Sequence, residues 1–304
     1  MPNKDRFLEY IKLPKVKSGN KPNSTAINWV YYGTNTSVGD EAIFKENIEL
    51  SNYTFDDFDA SGTIFYGGVF CTAVNFKNNA TFEGANFKGY LKFEGAKFDG
   101  DINFENCVFE QICDFVLASF NNTVTFKNSI FAQKIYFHQA TFNKSTIFEN
   151  CIFKEIVDFL TTNFLWDVTF EKSIFSQIAK FRFANFTKGT NFSNCKFIQQ
   201  ADFFGASFGT ATTNFSKTLF NQEATFRWSK FNGSLNFTDA KFIAFVNFKY
   251  SNLVNLGSNV SFNGASYMSE ENIKYIPQMP PAKVNYRTQM KRIDGQTAKE
   301  TYSY

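Results

Sequence analysis

The sequence predicts an all-β solenoid, on three observations. Phenylalanine recurs with a fixed beat, a small or branched apolar residue stands two positions before each one, and turn-forming residues follow soon after.

The beat shows in "ATFEGANFKGYLKFEGAKFDGDINFENCVF", residues 80–109, with Phe at 82, 87, 93, 98, 104 and 109. From Phe82 to Phe208, 24 Phe residues alternate steps of five and six without a break. One extra residue enters between Phe76 and Phe82 and another between Phe208 and Phe215 ("GTATTN"), and the count resumes to Phe248 and Leu253. The unit is thus 11 residues, and a period sustained this long marks a repeat architecture. An α-helix with this period would wind into a right-handed coiled coil. Steps of five and six would then set Phe on two stripes roughly 140° apart, at about 100° per residue. The units are also rich in Gly, Asn, Thr, Val and Ile, which are mediocre to poor helix formers.

A strand accounts for the pattern better. Ala85, Ala96, Cys107, Ala118, Ser129 and Ala140 precede one set of Phe by two positions, and Leu91, Ile102, Val124, Ile135 and Val157 precede the other. Inward at i−2 and i, outward at i−1, is strand alternation. Each segment is about three residues long before turn formers such as "EG", "DG" and "EN". Short strands joined by tight corners, each apolar on one side, close into a solenoid. Phe then stacks on Phe at about 4.8 Å. Each ring buries on the order of 150–250 Å², so the core needs no disulfide or metal.

Segments such as "ATFEGANFKG", "GAKFDGDINF" and "NGSLNFTDAKF" resemble the pentapeptide-repeat family, in its Phe-rich variety with an extra residue in alternate repeats. The resemblance covers roughly residues 62–256, with Phe44 as a possible start. It implies a right-handed quadrilateral β-helix with four repeats, here 22 residues, per coil, and a bacterial origin. About ten coils then fill residues 43–268, and non-repeat caps close both ends. Residues 1–42 are expected to form the N-terminal cap, with a short helix at "DRFLEYIKL", and 269–304 a helical or disordered tail. In that tail Lys283, Arg287, Lys291 and Arg292 are spaced for one face of a helix.

Composition excludes more than it assigns. The chain has 304 residues, 42 of them Phe, and a net charge of +3. The two ends hold six Lys/Arg and four Asp/Glu each, which leaves 31−12 = 19 basic and 28−8 = 20 acidic residues between them, or −1. Some pentapeptide-repeat proteins imitate duplex DNA and bind type II topoisomerases. That alternative requires a strongly negative rod, and Lys88, Lys127, Lys154 and Lys172 interrupt this one. No run approaches the ~18 apolar residues of a membrane span, and no signal-peptide segment opens the chain, so a cytoplasmic location is expected. Neither nucleic acid nor membrane is an expected partner, and no small-molecule substrate or cofactor is.

Catalytic chemistry is sparse. The five cysteines form no CxxC pair, and Cys107, Ser129, Cys151, Ser173 and Cys195 alternate as buried fillers. The single histidine, His138, has no histidine partner for a triad or metal site. "DFDASG" (57–62) starts like a calcium loop, but Gly68 stands where the bidentate Glu belongs. No enzyme is expected.

A 22-residue coil makes the outward columns readable. Thr81, Asn103, Thr125, Ile147, Thr169, Asn191, Asn214 and Asn236 form a polar ladder, expected to satisfy itself; an ice- or carbohydrate-binding face is its alternative. Gln111, Gln133, Gln177, Gln199 and Gln222 form a corner column, and Asn106, Asn128, Asn150 and Asn194 another, where Asn suits left-handed backbone. The best functional clue is apolar. Val108, Ile130, Ile152 and Ile174 face outward in four consecutive coils, with Ile112, Ile156 and Ile178 in the adjoining gap. A stripe of this kind is covered by the chain's own termini, removed from the surface if the extra-residue positions turn inward, or met by a partner. The expected function is a non-enzymatic scaffold that binds a protein partner, or itself, along this stripe.

Overall fold

A computed structural model describes residues 43–44, 47–253, 256, 259–276 and 286–293; the expected cap at 1–42, and Lys283, lie outside them. Every described strand is two residues long, and the strands stack in parallel into four sheets. Sheet A has twelve strands, from Ile43–Phe44 to Lys291–Arg292. Sheet B has ten, from Ile48–Glu49 to Val246–Asn247, and sheet C nine, from Thr54–Phe55 to Lys230–Phe231. Sheet D has ten, from Phe58–Asp59 to Val260–Ser261. The chain visits A, B, C and D in turn, so each coil is four-sided and contributes one strand per sheet.

The five- and six-residue steps have different structural meanings. The five-residue step crosses the B–C and D–A corners, where one residue takes left-handed backbone, as at Gly95 (φ 63) and Asn106 (φ 59). There the N–H three residues on returns to the Phe carbonyl, as from Ala96 to Phe93 at 3.0 Å. The six-residue step crosses the A–B and C–D corners, which are wider. Both early irregularities fall at C–D: the strand register is 21 residues for Thr54↔Asn75, 22 for Phe58↔Ala80, and 23 for Thr190↔Thr213. An insertion there bulges outward without moving any Phe out of its stack.

Four Phe stacks fill the interior. Representative spacings are 4.9 Å for Phe82–Phe104, 5.1 Å for Phe87–Phe109, 5.4 Å for Phe93–Phe115 and 4.8 Å for Phe98–Phe120. Rings in one stack are near parallel, while the two central stacks meet edge to face, as Phe104 and Phe115 do at 5.7 Å and 79°. Both arrangements suit the aromatic quadrupole.

The C-terminal tail docks on the last coil. Lys291–Arg292 pairs with Ser266–Tyr267 and extends sheet A, so Lys291 and Arg292 stand in a strand, not on the helical face their spacing suggests. A 3-10 turn, Glu270–Ile273, buries Ile273. Arg287 donates to the carbonyls of Lys274 and Ile276, and the Gln289 side-chain oxygen accepts the N–H of Phe262. These contacts occupy backbone groups that an open solenoid end would leave unpaired.

Candidate interaction surface

Strand geometry puts the predicted apolar column together. Val108 pairs with Ile130, Ile130 with Ile152, and Ile152 with Ile174, all on the outer side of sheet A. Asn86 precedes the column and Lys196 follows it. β-branched residues directly in register cover one another's flanks, so all four are half-buried. Ile156 and Ile178 occupy successive coils at the A–B corner and are also half-buried. Ile112 is separated from them by exposed Lys134, because the coil between them places Lys at that position.

The polar ladder on sheet D is engaged internally. Asn214 Nδ2 donates to Asn191 Oδ1 at 3.3 Å and Asn236 Nδ2 to Asn214 Oδ1 at 3.1 Å. The Oδ1 atoms of Asn103, Asn191, Asn214 and Asn236 also accept the N–H two residues on. Asp59 does the same for Ser61, so the calcium-like stretch is an Asx turn leading into left-handed Gly62. Among the described residues no cluster of three or more His, Cys, Asp or Glu could hold a metal.

The most exposed large apolar groups lie elsewhere. Leu117, Phe183, Trp228 and Tyr250 are each about half exposed, at 54, 51, 54 and 54%. All four belong to one column at the B–C corner and take left-handed backbone. Sequence reading missed them because they fall off the Phe beat; the same 22-residue count, applied to the corners as well as the strands, would have found them. Beside this column Asp202 accepts the N–H of Phe204 and pairs with Arg182 at 3.8 Å. Burial pushes its carboxyl upward, against those two contacts and Lys180.

Inside the D–A corner the small residues do more than fill space. Cys107, Cys151 and Cys195 donate Sγ–H to the carbonyls of Phe82, Phe126 and Phe170, and Ser129 and Ser173 donate Oγ–H to Phe104 and Phe148. Burial pushes the Cys107 thiol up to about 12, and burial raises the other four thiols as well.

No described helix is long and apolar enough to cross a membrane. The family model for pentapeptide repeats (9 copies) matches residues 72–130 and 126–174. No curated protein and no solved structure matches the sequence.

Proposed function

We propose that this pentapeptide-repeat protein is a non-enzymatic scaffold whose sheet A holds a protein partner or a second copy of itself. The observation that supports it most is the in-register Val108–Ile130–Ile152–Ile174 column, with Ile156 and Ile178 at its margin. Apolar residues on the outer face of a rod gain nothing from the core, which Phe already fills, and a contiguous outer patch suits contact with another surface. The free, buried thiols accord with a reducing, cytoplasmic setting.

The two alternatives draw less support. The Asn side chains that ice or sugar would need are already paired along sheet D. Topoisomerase mimicry needs a strongly negative rod, and this one is near neutral.

Size-exclusion chromatography with light scattering, and recovery of bound protein, on wild type and Ile130→Lys/Ile152→Lys test the reading. The double variant should lose self-association or partner recovery while melting as wild type does. Two equally monomeric, equally stable proteins with equal recovery would end it.

A further inference from the structure

The B–C corner carries a second surface, separate from sheet A. Four consecutive coils present Arg182 and Phe183, Phe204 and Gly205, Arg227 and Trp228, and Lys249 and Tyr250. The second residue of each pair has positive φ: 54, 67, 60 and 65. Left-handed backbone costs stability for any bulky L-residue. Glycine serves the same position at Gly95 and Gly205, so the corner itself does not require large side chains. Nor does core packing compensate, since Phe183, Trp228 and Tyr250 remain about half exposed. Strain retained at exposed aromatic residues points to use.

The rings are ordered among themselves. Phe183 lies over Gly205, where an added Cβ would come within 2.6 Å of the ring. Phe183 also meets Phe204 edge to face at 5.6 Å. Phe204 has the Arg182 and Arg227 guanidinium carbons 5.0 and 6.0 Å from its centroid. Trp228 stacks on Tyr250 at 4.8 Å, and Lys249 Nζ stands 4.9 Å from the Tyr250 centroid. Across sheets B and C and the corner between them, these coils carry Lys180, Arg182, Arg227, Lys230 and Lys249 against one carboxylate of their own, Asp202, which Arg182 engages; Lys180 also pairs with Asp158 of the preceding coil at 3.6 Å. The Nε–H of Arg227 has no acceptor among the described residues.

We propose that this ridge docks an acidic polypeptide segment that also carries apolar side chains. Ring faces here are largely spent on one another and on cations, so they offer poor platforms for nucleic-acid bases. Ring edges, the positive end of the aromatic quadrupole, and guanidinium donors suited to carboxylates remain for a partner. Trp, Tyr and Arg are also the residues that dominate protein-binding hot spots.

Fluorescence anisotropy on the full chain tests the proposal with two probes, a short labelled peptide of alternating Glu and Leu and a labelled oligothymidylate. The peptide should bind wild type, and about tenfold or more weakly to Arg182→Glu/Arg227→Glu and to Phe183→Gly/Trp228→Gly. The glycine variant should melt no lower than wild type, because strain is removed, so lost binding there is not lost folding. Ile130→Lys/Ile152→Lys should bind the peptide normally, which separates this surface from sheet A. Absent peptide binding, binding undiminished in both ridge variants, loss only in the sheet A variant, or preference for the oligothymidylate would overturn the proposal.

Discussion

Cys151 donates its thiol to the carbonyl of Phe126 at 3.0 Å, across one coil of the rod. Its backbone N–H donates to Ser173 Oγ at 2.8 Å, and Cys107 repeats the arrangement with Ser129 at 2.9 Å. The N–H groups of Ser129, Ser173 and Cys195 instead turn back to the carbonyls of Phe126, Phe170 and Phe192. The Cys–Ser alternation is therefore a two-coil hydrogen-bonding unit: each serine supplies the acceptor that the preceding cysteine's amide uses.

Removing that acceptor strands a buried N–H. Ser173→Ala should cost about 1–3 kcal/mol, read from the denaturant midpoint. Cys151→Ser keeps a donor of similar size and should cost less. Equal, negligible effects would show the alternation to be simple packing.

The thiols should make the rod sensitive to alkali. Ionisation is disfavoured in the folded state, with Cys107 raised from an ordinary 9.0 to about 12 by burial. Their contribution is therefore complete below pH 9 and declines as pH rises from 9 towards 12, where unfolded chains release protons that folded ones retain. Denaturant midpoints measured across that window should fall, and fall less steeply in Cys107→Ser/Cys151→Ser/Cys195→Ser. A flat wild-type profile would contradict the linkage.

Phe137 lies between Phe115 and Phe159, at 5.0 and 4.9 Å, and is fully buried. Its stack has no side chain able to refill the site, so Phe137→Ala should cost about 3–5 kcal/mol. Chemical denaturation gives the value directly.

Leu117 offers the opposite sign. It is exposed, has φ 60, and occupies the position that Gly95 fills one coil earlier. Relief of roughly 1–2 kcal/mol of left-handed strain, less glycine's entropic cost of about 0.5–1 kcal/mol, leaves Leu117→Gly as stable as wild type or more stable, by up to roughly 1.5 kcal/mol. A lower melting temperature would show that the leucine side chain holds the corner together.

Much of this was legible from spacing. The Phe beat, the small or branched residue two positions earlier, and the Asn column at Asn106, Asn128 and Asn150 all follow from period-two strands and left-handed corners, and each stands where counting placed it. The Val108–Ile174 column was legible for the same reason. The aromatic ridge was not, because Phe183, Phe204, Trp228 and Tyr250 look like irregularities until coils are stacked. At Lys291–Arg292 the pair completes an open edge of sheet A, and that demand outweighs local helical spacing.

The chain's own order of residues determined the solenoid, because a ring at every fifth or sixth position has no other way to escape water in company. What only the folded molecule decided is which outer side chains become neighbours and which backbone groups they take up. Those relations join residues about 22 positions apart, and they exist only once each coil rests on the last.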